Sequence, residues 1–312
     1  MSAPDRPVGV LVMAHGTPST PEGIEPFYTS IRRGRPPTPE LLADLVGRYE
    51  ALGGVSPLAE RTTAQVEGLA AALEATDPGA FVVRYGAKHT APTIEEGAAA
   101  LLDAGAATIV GIVLTPHRSS LGSGEYLQRA ATAIGSSARF VPVPSWHRAP
   151  GLADLLARRT AAVLGELDGG GRPVQVFFTA HSLPERVVAE GDPYPDQVAE
   201  SARDIADRLD LDDRPDTGWG VAWQSAGRTA DPWIGPDLLA EIRRVAADGA
   251  GAVAVCPVGF VSDHLEVLYD LDLEAAGVAR DEGVAFARTP SLNDDPAFLG
   301  VLAGVVAAAV AT

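Results

Sequence analysis

Short apolar runs that do not alternate, each closed by a turn and followed by a helical stretch, leave this chain few ways to fold. The clearest is Val-Phe-Phe-Thr-Ala at residues 176–180, which stops at His181-Ser182-Leu183-Pro184. Apolar side chains at consecutive positions point to a strand covered on both faces, as parallel strands are. Pro184 cannot continue a ladder and suits the first turn of a helix, so the chain turns there. Similar runs occupy Val8–Ala14 and residues 81–85, 108–114, 139–143, 218–223, 252–258 and 284–287. Helices are expected between them at Pro39–Ala51 and at residues 21–33, 56–74, 93–104, 122–134, 151–167, 195–209, 236–248, 262–279 and 296–311. Such alternation implies parallel sheets flanked by helices. The fold class is therefore α/β: two Rossmann-like domains with parallel four-stranded sheets and a cleft between them. Residues 1–148 would form the first domain and residues 149–312 the second, the last helix being free to pack back on the first half. No Gly-x-Gly-x-x-Gly turn follows the first strand and no Walker loop is present, so nucleotide binding has no support.

Charge narrows the function. A formal net charge of −17 disfavours nucleic acid and is compatible with attracting cations. A single cysteine, Cys256, rules out an intramolecular disulfide and an iron–sulfur cluster held by four cysteines of one chain. The opening MSAPDRPVGV lacks the charged and apolar regions of a signal peptide, and the apolar residues 298–312 are too few to span a bilayer. A cytoplasmic protein is expected, with at most peripheral membrane contact.

Three groups of residues can carry chemistry. His15, His89, His117 and His181 all fall at strand ends, the edge where open α/β sheets bind ligands; hydrogen bonding within loops is the ordinary alternative, above all for His117 and His147. In GFVSDHLEVLYDLDLE, Ser262 or Asp263 can cap a helix on which Glu266, Asp270 and Glu274 are spaced four apart and share one face. That face is either a solvated acidic stripe or a file of carboxylates passing a divalent cation inward; imidazole with carboxylate suits iron, zinc or nickel. Arg32, Arg33, Arg35 and Arg48, with Lys88, suit an anionic ligand. A surface salt-bridged to Glu40, Asp44 and Glu50 is the equally simple reading.

Taken together, MAHGTP, IRRGR, RYEALGGVSPLAE, KHTAP, TAHSLPE, GDPYPDQ, WQSAGRTADPWIGPD and PVGFVSDHLEVLYDLDLE resemble the ferrochelatases. The likeness is greatest to the coproporphyrin III ferrochelatases of Gram-positive bacteria, and it spans nearly the whole chain. It implies a chelatase-like fold and insertion of ferrous iron into coproporphyrin III in haem biosynthesis. His181 and Glu266 match the family's catalytic metal-site pair, and Asp270 and Glu274 its acidic ladder for metal or protons. Arg32, Arg48, Tyr49, Ser56 and Tyr126 match positions lining the porphyrin, and Trp233 a wall of the cleft. His15 stands where close relatives carry a tyrosine that ligates product iron, which makes it a candidate axial ligand.

On this reading iron is a substrate and no organic cofactor is needed. Neutral His181 acts as general base, assisted by Glu266. A monomer in transient contact with other haem-pathway enzymes is expected. The rivals are a paralogue using another divalent metal or tetrapyrrole, and a carrier that binds without turnover. A sirohydrochlorin-type cobalt chelatase shares only the general fold.

Overall fold

The computed structural model describes residues 7–167, 169–227 and 231–311. Residues 1–6, Asp168, residues 228–230 of the WQSAGRTADPWIGPD motif and Thr312 lie outside the described residues.

In the first half, β1 (Val8–Ala14), β2 (Phe81–Ala87), β3 (Thr108–Val113) and β4 (Arg139–Pro142) form a parallel sheet in the order β2-β1-β3-β4. Its helices are α1 (Ile24–Ile31), α2 (Pro39–Ala51), α3 (Leu58–Thr76), α4 (Ile94–Asp103) and α5 (Ser123–Ile134). The second half repeats the plan. Strands β5 (Val174–His181), β6 (Thr217–Gln224), β7 (Ala252–Cys256) and β8 (Ala285–Arg288) are ordered β6-β5-β7-β8. Around them lie α6 (Leu152–Glu166), α7 (Glu185–Ala189), α8 (Tyr194–Arg208), α9 (Leu238–Ala247), α10 (Leu265–Val267), α11 (Ala276–Asp281) and α12 (Pro296–Val310). Parallel pairing in both sheets brings all the carboxyl ends to one edge, with Val12 beside Tyr85 and Ile112, and Phe178 beside Val221 and Cys256.

One apolar core joins the halves: Val10, Val12 and Val110 of the first sheet belong to the same buried cluster as Val176, Phe178 and Ala254 of the second. Helix α12 closes it, packed on α3 and α6. The Phe298 ring lies 5.9 Å from that of Trp146, whose indole N–H donates to the Val113 carbonyl at 2.9 Å.

Local chemistry displaces several expected boundaries. The helix expected over residues 21–33 is a 3₁₀ turn, Pro21–Gly23, followed by α1. It stops because Arg33 and Gly34 adopt left-handed φ values of 57° and 82°. The strand expected to reach residue 258 ends at Cys256, where the Val258 N–H turns back to the Cys256 carbonyl at 2.9 Å. Pro184 caps α7 rather than entering its first turn. Neither Ser262 nor Asp263 caps the acidic helix; the cap position is His264. Ser262 Oγ instead donates to Gln65 Oε1 at 3.0 Å, and the Asp263 carboxylate accepts from Asn293 Nδ2 at 2.8 Å and Arg288 Nη2 at 3.2 Å. The helix then changes type: Leu268–Ala275 is a π-helix between α10 and α11.

Removing the Phe298 ring leaves a hole in the shared core. Phe298→Ala should lower folding stability by about 3–5 kcal/mol. Because the core is continuous, denaturant melts followed separately in the two halves should shift together. A drop confined to one half would contradict this account.

Candidate functional site

A cleft of about 750 Å³ opens between the carboxyl edges of the two sheets. Strand β5 delivers His181 to one wall. Its Nδ1–H donates to the Ser182 carbonyl at 2.5 Å, leaving Nε2 3.6 Å from Glu266 Oε1. His264 is held in the same way. Its Nδ1 donates to the Ser262 carbonyl at 2.9 Å, and its Nε2 lies 3.7 Å from Glu266 Oε2. One carboxylate is thus held between two imidazoles of fixed orientation.

Burial pulls the His181 imidazole down, but the charge of Glu266, with help from the Ser182 carbonyl and Asp270, overcomes it and raises the pKa to about 9. Burial pushes Glu266 the other way, and attraction to His181 and His264 holds it well below the usual carboxylate range. At neutral pH the pair is imidazolium and carboxylate. The expectation of a neutral His181 is therefore corrected: a proton must leave before Nε2 can meet a metal. The side chains of His181 and Glu266 keep 33% and 38% of their surface open, so both remain reachable from the cleft.

Glu266, Asp270 and Glu274 all line the cleft. The i→i+5 bonding of the π-helix puts more residues in each turn than an α-helix has, so residues four apart stay close to one line. Burial, and then the negative charges of Glu266 and Glu274, raise Asp270 to about 6 against the Ser225 hydroxyl, which donates to it, and Arg48. Arg48, expected at a porphyrin-holding position, reaches across the halves. Its Nη1 is 3.5 Å from Asp270 Oδ1, its Nε 3.6 Å from Asp44, and its guanidinium sits 4.9 Å from the centre of the Tyr269 ring.

His15 follows β1 on the other half. Its Nδ1 lies 3.2 Å from the Gly16 carbonyl, and its ring packs 5.6 Å from Phe27 and 4.7 Å from His89. Its ring is open to the cleft, and desolvation by the protein packed around it keeps its pKa below the ordinary histidine value. Tyr49, Ser56, Tyr126 and Trp233 also line the cleft, Trp233 with its ring 6.3 Å from that of His181. Tyr49 Oη lies 3.4 Å from Thr17 Oγ1, and Lys88 Nζ is 5.1 Å from the Tyr126 ring centre.

Two expected contributors stand back. Arg32 lies over the Tyr28 ring at 5.7 Å, outside the lining, and His89 sits behind His15 with Nδ1 3.0 Å from Ser30 Oγ. Among the described residues no three His, Cys, Asp or Glu side chains are grouped to hold a metal ion. The four expected metal residues thus divide into a close pair, His181 with Glu266, and two acids further along the same helix. The residue that sequence reasoning missed is His264. Its signal was its place two residues before Glu266 in the turn after β7.

The model of the Ferrochelatase family matches residues 7–310. The chain is 43% identical to "Ferrochelatase" of Thermus thermophilus, over 97% of this chain and 99% of that protein. It is 41% identical to "Coproporphyrin III ferrochelatase" of Bacillus pumilus, over 96% of each. Its fold is similar to that of "SirB from Bacillus subtilis with Fe3+", with a TM-score of 0.60 at 13% identity, covering 98% of this chain and 96% of that one.

Glu266→Gln keeps the shape of the carboxylate and removes its charge. The His181 midpoint, followed by imidazole NMR, should fall from about 9 to near or below the ordinary histidine value of 6.5, because burial is then weakly opposed. A midpoint that stays close to 9 would show that Glu266 is not its cause.

Proposed function

Because the chain belongs to the ferrochelatase family, we propose that it inserts ferrous iron into coproporphyrin III, giving Fe-coproporphyrin III (coproheme) for haem biosynthesis. The observation that carries this reading is the His181–Glu266 pair, set on one wall of a deep cleft at the head of a file of carboxylates. Metal insertion into a porphyrin exchanges one divalent cation for two N–H protons. The site therefore needs bases, a place for the arriving cation, and a grip on the ring. Glu266 holds its charge through the physiological range and attracts the cation. His181 gives up its proton as the metal approaches, because the positive charge of the metal replaces that of the imidazolium beside Glu266. Its Nε2 then serves as ligand or as acceptor for a pyrrole proton. Asp270, near neutrality in its titration, takes or passes a proton along the π-helix.

The two donors do not complete a cage. A resident metal would need three or four ligands, whereas a metal in transit finds the remainder in the porphyrin nitrogens. Coproporphyrin III carries four propionates, and Arg48 and Lys88 in the lining supply cations for the rim. Gripping the periphery lets binding there distort the ring so that a lone pair emerges. Iron is substrate in this reading. The enzyme works without an organic cofactor or an iron–sulfur cluster, the lone Cys256 being buried.

Among the described residues no helix is long and apolar enough to cross a membrane. The enzyme is taken to act in the cytoplasm, as a monomer.

An anaerobic assay pairing coproporphyrin III and protoporphyrin IX with ferrous, cobalt, nickel and zinc ions tests the reading. Iron with coproporphyrin III should turn over fastest. Preference for cobalt or nickel would point to another metal, and binding without insertion would point to a carrier. His181→Ala should lower kcat by about 10²–10⁴-fold, the usual worth of a positioned acid–base group; a near-normal rate would remove His181 from the chemistry.

His15 presents Nε2 with Nδ1 already engaged. Coproheme bound to the protein should accordingly show the electronic and EPR spectra of an imidazole-ligated iron, and His15→Ala should change them, whereas His181→Ala should not. Identical spectra before and after the substitution would exclude His15 as a ligand.

A further inference from the structure

The two cations in the cleft lining are not held alike. Lys88 Nζ pairs with Glu125 at 2.7 Å and donates to the Leu121 carbonyl at 3.3 Å. Arg48 is held more loosely. Its Nη1 is 3.5 Å from Asp270 Oδ1 and its Nε 3.6 Å from Asp44 Oδ2, both too long for good hydrogen bonds, and its guanidinium forms no hydrogen bond among the described residues. Asp270 shows the same slack. Ser225 donates to its Oδ2, but Oδ1 is buried without a hydrogen-bond partner, on a residue only 6% exposed. A guanidinium can make two parallel N–H bonds to one carboxylate, and this one lies against the face of Tyr269 with that capacity unused. Arg48 faces the cleft from α2, and Asp270 and Glu274 face it from the π-helix.

We propose that Arg48 is a shared cation: Asp270 holds it while the cleft is empty, and a carboxylate at the rim of the entering ring takes it over. The inference rests on the metal-insertion reading, which brings a ring bearing propionates into the cleft. A flexible propionate can approach the guanidinium edge-on and complete the fork, whereas Asp270 is fixed by the π-helix and by Ser225. Once Arg48 turns to the ring, Asp270 is left with one oxygen unpaired and its charge uncompensated in line with Glu266 and Glu274, which an arriving dication relieves. Ring and cation therefore favour each other at this point. A ring without acid side chains leaves Arg48 on Asp270. The rim of the substrate in this way sets the charge of the file, which draws the cation most strongly when a ring is present to receive it.

The test measures binding of metal-free coproporphyrin III to the full chain by fluorescence titration at pH 8, above the Asp270 midpoint of about 6. The tetra-amide of the same ring, which keeps its shape and loses the rim charges, is the reference ligand. Asp270→Asn frees Arg48 and should lower the Kd of coproporphyrin III about 5-fold or more, the low end of coupling between sites, with the Kd of the tetra-amide unchanged. In chains carrying Arg48→Met, adding Asp270→Asn should move neither Kd. An unchanged coproporphyrin III Kd in Asp270→Asn overturns the proposal. So does an equal gain in the Arg48→Met background, which would mark plain repulsion by Asp270. Iron uptake gives a second readout. With the tetra-amide as ring, Arg48→Met should lower the KM for ferrous iron several-fold, and with coproporphyrin III the drop should be much smaller. No drop with the tetra-amide, or the same drop with both rings, overturns the exchange. A parent chain that binds neither ring sinks the functional reading and the proposal together, whereas one that binds both without the Arg48-dependent gain sinks the proposal alone.

Discussion

The cleft is organised by a negative charge that cannot leave. Glu266 is held between His181 and His264, and each imidazole is fixed by a backbone carbonyl rather than by the carboxylate. The rings therefore keep their orientation when the charge between them changes. Removing one partner from a recessed ion pair leaves the other uncompensated, which is far costlier than losing a surface bridge. An arriving dication can offset that loss by taking the place of the proton. On the proposed reading the pair would act as an exchange point, where occupation by metal and occupation by a proton are alternatives.

Much of the surrounding architecture keeps that point still. The turn bearing His264 is tied to the opposite half by Gln65, whose amide donates to the Val261 and Asn293 carbonyls at 3.3 and 2.9 Å and whose oxygen accepts from Ser262. Asn293 returns two bonds to Asp263, and Arg288 joins Asp263 to Asp272 on the π-helix. From the other side Gln224, at the end of β6, donates to the Glu266 carbonyl at 3.3 Å. Arg48 and Ser225 both engage Asp270, so the second acid of the file is partly neutralised before any metal comes. A file of fully exposed carboxylates would trap a dication; one already sharing its charge with protons and a guanidinium can pass it on.

Sequence made the frame legible because buried parallel strands announce themselves. Val8–Ala14 was readable to the residue, and the strand run at residues 176–180 led directly to His181. The four-residue spacing of Glu266, Asp270 and Glu274 survived a change of helix type, since π-helical turns also bring such residues into line. What could not be read depends on long-range partners. Nothing local marks Leu268–Ala275 as π-helical. The cap assigned to Ser262 or Asp263 failed because Gln65 and Asn293, distant in sequence, claim those side chains. The charge on His181 depends on the nearness of Glu266, and Arg48 took Asp270 as a partner from the other half of the chain. Arg32 sits just past the end of α1, followed by the left-handed Arg33 and Gly34, and its guanidinium lies over Tyr28 rather than in the lining.

The shared core gives these local arrangements a common consequence. Had each sheet been packed separately, the cleft walls could swing, and a macrocycle would meet whatever gap the hinge allowed. Here Val10 and Val110 of one sheet belong to the same buried cluster as Phe178 and Ala254 of the other, with Phe298 of the closing helix among them. Close-packed interiors of this kind resist small changes of spacing. A wall bearing His15 and a wall bearing His181 are thereby set before any substrate arrives. Groups aimed in advance cost no reorganisation during reaction, and a ring held between fixed walls yields more readily than the walls do.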